Sequence, residues 1–486
     1  MFQTALLSDS AVEQLADATL TILEKVGIIC QDAELLQALQ RWGAQIDSER
    51  ELARFPRVRV SEFVTALRGQ ALPRPPADQP LVCPPRPSLS TLVAQFYYDD
   101  EAGERRPGTR EDLIGLIKLG DVLHPQQGTG HALLLREYDP LLEPLEAALV
   151  LAEYSRKPGP AFAWDERQVD YLIEMGEILG IRNWFTMGAL CFAHPLRFDR
   201  EVARRLVRMA RLGMPVGLTG MQVAGASTPV TAAGFVAVSA AEFIATWIAG
   251  RAVNESVRLA AAMWASNVDL EAGPLGGIIW GATVDMRSGE VSYSAPDAML
   301  RAFALSEFLG RWCGQPIPVG GGEYSAARVP GLYAALEKAY KAMTIAAYTG
   351  YHPPIGDGMV DQGKTVSPVQ FLLDTEMAIA LESLAVPVEA NAETIALDAI
   401  LEVGHGLDKN HLLTEHTLQH YRKSLWCPSL MARAGWSGCA DEEALLARSR
   451  QRVRELQARY IKPEIDPDKL AALRRVIERA RQALLS

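Results

Sequence analysis

Residues 224–234 read AGASTPVTAAG: two glycines, a serine and two threonines set among small apolar residues, with no charge. Three kinds of chemistry use such a stretch: a phosphate cradle, a turn that opens a helix, or the floor of a ligand site. A P-loop needs Gly-Lys-Ser/Thr at the helix start, and there is no lysine here. No Gly-x-Gly-x-x-Gly opens a helix in this region either. What remains is a strand end, a polar turn and a helix N-terminus near Pro229, with Ser227 or Thr228 positioned to cap it. The free amides of that turn suit an anion such as a carboxylate. A plain strand-to-helix turn is the alternative reading.

Aromatic side chains fall at the ends of short apolar runs: Trp164, Trp280, Tyr324, Tyr348, Tyr351 and His352, with Tyr97 and Tyr98 upstream. Ring faces attract quaternary ammonium groups through their quadrupole, at about 0.5–2 kcal/mol per good contact. One such ring is ordinary core filling, whereas several around one opening make a cage. GGGE (320–323) also sits at a strand end, where glycines permit close backbone approach by a ligand. Other chemistries find no carrier. No Gly-x-Ser-x-Gly elbow or Cys–His pairing offers a nucleophile. His405, His411, His416 and His420 lack a His-Glu-x-x-His frame and nearby cysteines, and CFAH (191–194) alone makes no metal site, so no intrinsic metal is expected.

These residues need elements to hold them. Short apolar runs alternate with amphipathic segments: GHALLL (130–135), PAFAW (160–164), WFTMGAL (184–190), MPVGLTG (214–220), GGIIWGA (276–282), PIPVGGG (316–322) and TIAAYTGY (344–351). Thr109 caps a helix whose first turn holds Glu111 and Asp112. Repeated strand–helix units imply parallel strands with right-handed crossovers, and ligands at the strands' C-terminal ends. The expected fold is α/β, a (βα)8 TIM-type barrel over 88–410. A doubly wound sheet is the alternative. Before the barrel, 1–87 reads as a helical module. Its first helix starts at a Ser10–Glu13 capping box and stops at Gly27, and a second helix spans 32–41. A proline-rich connector at 72–87 ends the module. After the barrel, 411–486 reads as a helical extension. In it, 466–485 is a solvated amphipathic helix, and the aromatic-rich 411–430 docks on the barrel or on a neighbouring subunit.

Bulk properties limit the partners. The chain has 486 residues, about half of them apolar, and carries a net charge of −11 with a pI near 5.4. Acidity argues against nucleic acid. There is no run of 18 apolar residues to span a membrane and no secretion signal at the start. Six irregularly spaced cysteines read as reduced, mostly buried thiols of a cytoplasmic protein.

Four stretches in order carry a resemblance. They are YYDDEAGERRPGTREDL (97–113), GASTPVTAAG (225–234) followed by Ala241–Glu242, TVDMRSGEVSYSAPDAML (283–300) and LLTEHTLQHYRKSLWCPSLMARAGW (412–436). Together they resemble the trimethylamine methyltransferase family of corrinoid-dependent methyltransferases, over nearly the whole chain. The resemblance implies a TIM-type barrel and methyl transfer from an amine to Co(I) of a corrinoid (cobalamin) carried by a partner protein. Lacking pyrrolysine, the chain resembles the glycine betaine methyltransferase-like branch. A quaternary ammonium suits that branch, because its leaving group is a neutral amine and no general acid is required. On this reading Trp164, Trp280, Tyr324, Tyr351 and His352 wall the substrate. Asp285 and Glu323 orient the cation, and Ser227–Thr228 or Arg136 hold a betaine carboxylate. Two departures fall at 323–339, which lacks the Asp-x-Gln-Ala-Gly run of relatives, and at 250–275, which is long. A homo-oligomer is expected. The competing readings are a quaternary-amine binding or sensing protein without methyl transfer, and a metal-dependent barrel enzyme.

Overall fold

The computed structural model describes residues 5–69, 89, 92–182, 184–187, 190–192, 195–259, 277–349, 355–383, 388–431 and 435–486. The proline-rich connector, most of the 250–275 loop, His194, Tyr351 and His352 lie outside the described residues.

The chain is a mixed α/β structure, mostly helical, with short strands. Parallel neighbours recur in sequence order. Ala94 bridges Leu133, and Thr129 bridges Pro158. Ala161–Phe162 pairs with Phe185–Thr186, and Leu218–Gly220 with Gly277–Ile279. Ile279 then bridges Val319, and Thr365–Val366 runs parallel to Phe96–Tyr97. Helices alternate with these segments, from Arg110–Leu123 to Pro368–Glu382. Among the described residues the pairings form separate short sheets, and they trace no single closed ring.

Local signals account for most elements. Thr109 accepts from Asp112 N and Asp112 returns a bond to the Thr109 backbone, the capping box that starts Arg110–Leu123. The first helix, Asp9–Thr21, is capped two residues earlier than expected. Ser8 accepts from Ala11 N, because its own backbone is extended while Ser10 is already helical. TIAAYTGY is not a strand. Its first six residues end the helix Leu332–Thr349. The β-branched and aromatic residues suggest a strand, but the buried positions of this segment, Ala334, Ala335, Lys338, Lys341, Ala342 and Ile345, keep helical spacing.

The helix Ala232–Val253 is buried along most of its length. Among the described residues it alone is long and apolar enough to cross a membrane, and 78% of its most apolar window is buried inside the protein. A helix apolar all round is a core helix in such a setting. The N-terminal helices Asp9–Thr21 and Ala33–Trp42 pack on it, and their leucines join the same apolar cluster. At the other end, Cys439–Ala458 packs on Arg110–Leu123 and Pro368–Glu382. Pro467–Leu484 lies on Glu143–Tyr154 and Val169–Leu179. It buries Leu473, Val476, Ile477 and Ala480, so one face of the expected solvated helix is docked. Cys30 and Cys313 are buried, Cys191 is half-buried, and Cys427 and Cys439 are exposed, all five free.

Candidate functional site

Trp280 follows the strand Gly277–Ile279, and Glu323–Tyr324 follow the bridge at Val319. The parallel pairing of these segments brings the three side chains together. Trp280 Nε1 donates to Glu323 Oε1 at 2.8 Å, and Gly321 N donates to Glu323 Oε2 at 3.1 Å. The Trp280 and Tyr324 rings lie 5.7 Å apart, and Tyr293 also stands 5.7 Å from Tyr324. Glu323, Trp280 and Tyr324 are all buried. The glycines of GGGE make room for protein side chains. A Cβ at Gly320 would lie 2.5 Å from Trp280 Nε1. Gly363 does the same for Tyr324, whose Cε1 would be 2.0 Å from a Cβ there.

Burial pushes the Glu323 carboxyl above the usual range, against the pull of its N–H donors and of Lys341. Lys341 is fully buried, which lowers its ammonium to about 8 while Glu323 and Glu337 hold it up. Its Nζ donates to Tyr293 O at 3.1 Å and Tyr324 O at 3.2 Å. The lysine thereby fixes the backbones that carry both tyrosine rings. Lys338, one turn earlier, pairs with Asp374 at 2.7 Å with both side chains buried.

A second aromatic group forms at Trp164. Its ring stacks on Phe162 at 5.7 Å, and its Nε1 donates to Glu143 Oε2 at 3.2 Å. His131 Nε2 lies 2.8 Å from Glu143 Oε1, while Nδ1 accepts from Phe162 N at 3.3 Å. Because Nδ1 accepts, the ring proton sits on Nε2 and points at Glu143. Trp164 is 38% exposed, in contrast to the buried Trp280. No ring contact joins the two groups among the described residues.

The remaining sequence candidates make local contacts of their own. Asp285 caps a hairpin turn: Arg287 Nε and Nη2 bond its two oxygens at 3.0 and 2.9 Å. The Arg287 side chain and backbone hold its carboxyl down at about 2. Ser227 Oγ accepts from Val223 N at 2.9 Å, and Thr228 Oγ1 donates to Pro229 O. Neither caps the following helix. Thr231 does, accepting from Gly234 N, because the turn at 223–228 closes on itself first. Arg136 is exposed.

Sequence reasoning gave no role to Tyr293, Lys341, Glu143, Glu242 or Arg205. Glu242, on the core helix, accepts from Gln222 Nε2 at 2.6 Å and Leu196 N at 2.9 Å, and burial pushes it up to about 7. Arg205 donates to Met187 O at 3.2 Å, and its buried Nε has no partner. Its charge works against the burial that raises Cys191 to about 12. Burial raises Tyr293 and Tyr324, and Cys191 in turn adds slightly to both. One signal was available: Lys338 and Lys341 recur on the buried stripe of an alanine-rich helix.

Trp280, Tyr293 and Tyr324 pack around the buried Glu323 carboxyl at the ends of parallel strands. A family model described as trimethylamine methyltransferase (MTTB) matches residues 1–281 and 279–484, and the chain belongs to that family. It is a methyltransferase by that membership. Similar proteins include a glycine betaine methyltransferase of Desulfitobacterium hafniense strain Y51, 24% identical across 95% of this chain and 94% of that one. A trimethylamine methyltransferase MttB of D. hafniense strain DCB-2 is 21% identical over 98% and 94%. The trimethylamine methyltransferase MttB2 of Methanosarcina mazei is 25% identical, over 60% of this chain and 55% of its own.

Proposed function

We propose that this protein moves a methyl group from a small quaternary amine, of the glycine betaine type, to Co(I) of a corrinoid carried by a partner protein. The proposed scaffold is a (βα)8 TIM-type barrel with its mouth at the strand ends described above. The observation that carries the reading is the Trp280–Tyr324–Tyr293 group around Glu323. Relatives that match along nearly their full length include both a glycine betaine methyltransferase and a trimethylamine methyltransferase.

The chemistry is a displacement at carbon. The C–N bond breaks with its electron pair passing to nitrogen, and a neutral tertiary amine leaves. An electron-rich Co(I) supplies the pair for the new bond. No proton moves, so the protein's work is gripping, aiming and excluding water. Ring faces and the Glu323 carboxylate hold the ammonium, and Lys341 keeps the two tyrosine backbones in place. A grip on the cation alone stabilises the ground state, because the positive charge disperses in the transition state. Binding at the far end of the substrate is therefore the more useful kind. Arg205, with a buried N–H unpaired and no ion pair among the described residues, supports a carboxylate there.

A panel of methylated amines with cob(I)alamin as acceptor, followed by its absorbance, tests the reading. Glycine betaine should consume cob(I)alamin and trimethylamine should not. The reverse pattern defeats the substrate assignment. Betaine binding by calorimetry, with no transfer even to a reduced corrinoid protein, selects the sensing protein instead.

A further inference from the structure

Two buried polar residues that the mechanism above leaves without a role converge on Trp164. Glu143 Oε2 accepts the indole N–H at 3.2 Å, while its Oε1 accepts from His131 Nε2 at 2.8 Å and Leu135 N at 2.9 Å. Gln168 Oε1 accepts from Trp164 N at 2.8 Å and Asp165 N at 3.0 Å. The amide nitrogen of Gln168 donates to Pro140 O at 3.0 Å and Leu141 O at 3.1 Å. Glu143, His131 and Gln168 are all buried. Glu143 opens the helix Glu143–Tyr154, and Gln168 closes the turn Glu166–Gln168 that leads into Val169–Leu179. The starts of two successive helices therefore fix the side chain and the backbone of one residue.

That residue is not core filling. Ala161 and Ala163 join the apolar cluster shared with the helix Glu143–Tyr154, and strand alternation turns Phe162 and Trp164 to the opposite face. Phe162 stacks on the indole and His131 meets it edge-on, yet Trp164 keeps 38% of its surface exposed. A carboxyl taken out of water costs free energy unless its oxygens are bonded. Here three donors offset that cost, and one of them belongs to a ring in contact with solvent. Pinning a ring in advance removes the ordering cost that a ligand would otherwise meet on binding.

We propose that Glu143 is a positioning residue for the amine: it presets the Trp164 indole, so that the ring face left open by Phe162 meets the ammonium group on entry. The proposal rests on the amine reading above. It also gives Glu143 a specific weakness. Two donors hold Oε1 and one holds Oε2. A glutamine there keeps its oxygen on His131 and Leu135 and turns its amide N–H against the indole N–H. Glu143→Gln therefore releases Trp164 first.

The test uses the full chain labelled with fluorotryptophan, with the Trp164 fluorine resonance identified by its loss in Trp164→Phe. In the wild type that line should be single and should shift when glycine betaine saturates the protein. Glu143→Gln should move and broaden the line before any ligand is added. It should weaken amine binding by calorimetry about fivefold, and raise KM while kcat stays within about twofold. In the Trp164→Phe background the same change should alter affinity by less than about twofold, since Glu143 has no indole left to hold. Glu143→Asp, too short to reach all three donors, should act the same way and serves if Glu143→Gln does not fold. A Trp164 line indifferent to saturating amine, or equal losses from Glu143→Gln with and without the indole, would overturn the proposal. A shift with trimethylamine in place of glycine betaine would instead sink the substrate reading and leave the positioning role standing.

Discussion

Trp280 and Glu323 stand 43 positions apart in the chain, yet the indole N–H reaches the carboxylate at 2.8 Å. That bond locks the ring orientation and favours the ionised acid in a buried setting. Trp280→Phe keeps an aromatic face and removes the donor. A hydrogen bond to a charged group is worth about 1.5–3 kcal/mol. The Glu323 carboxyl should therefore rise further, which favours its protonated form. Calorimetry with glycine betaine should show at least tenfold weaker binding at pH 6, partly recovered at pH 9. Equal affinity to wild type at both pH values would remove Trp280 from the site.

Arg205 offers a test of whether recognition of the cation is separate from recognition of its tail. Its neighbours on the helix Arg200–Arg211 spend their charge on carboxylates, Arg204 on Glu166, Arg208 on Asp170 and Arg211 on Glu34. Arg205 points instead to Met187 O. Arg205→Gln should weaken glycine betaine by at least tenfold and leave choline, which has no carboxylate, within about twofold. Parallel losses for both ligands would show that the arginine only supports the fold.

Glu242 gives a pH signature in stability. Its folded pKa is raised from 4.5 to about 7. The folded state then holds a proton that the unfolded state releases between those values. The resulting stabilisation is full below about pH 4.5 and is lost as pH rises through 7. Glu242→Gln, which keeps an acceptor for Leu196 N, removes this dependence. Melting curves at pH 5 and pH 8 should show wild type losing on the order of 3 kcal/mol relative to the variant between the two. Parallel curves would place the group's pKa near its ordinary value.

The alternation of apolar runs and helices was legible because burial sets its period, and it located Trp280, Glu323 and Tyr324 at strand ends. Their hydrogen bond was not legible, since it joins segments that only the parallel pairing brings together. TIAAYTGY misled because Thr, Ile and Tyr favour strands, while its place in the 3.6-residue burial rhythm begins many residues upstream at Ala334. By residue type Arg205 looks like Arg200, Arg204, Arg208 and Arg211, and the partners of the latter three tell them apart. Ser227 and Thr228 were read as caps by residue type. The tight turn used Ser227 first and left the task to Thr231.

Gly363 tests whether the ring pair is built in rather than adaptable. Its φ is +79°, and a Cβ there would meet Tyr324 Cε1 at 2.0 Å. Gly363→Ala combines left-handed backbone strain with a clash against a buried ring, together on the order of 3 kcal/mol. Gly289 is the matched control, with φ +74° and nothing within 4 Å of its added Cβ. Gly289→Ala should cost only the strain, about 1 kcal/mol. Urea titrations should show the larger loss of midpoint for Gly363→Ala with an unchanged slope. Under conditions where that variant remains folded, its betaine affinity should fall while that of Gly289→Ala stays. Equal stabilities for the two variants would mean that Tyr324 moves aside freely, and a ring that yields so easily does not hold the cation in a fixed line of attack.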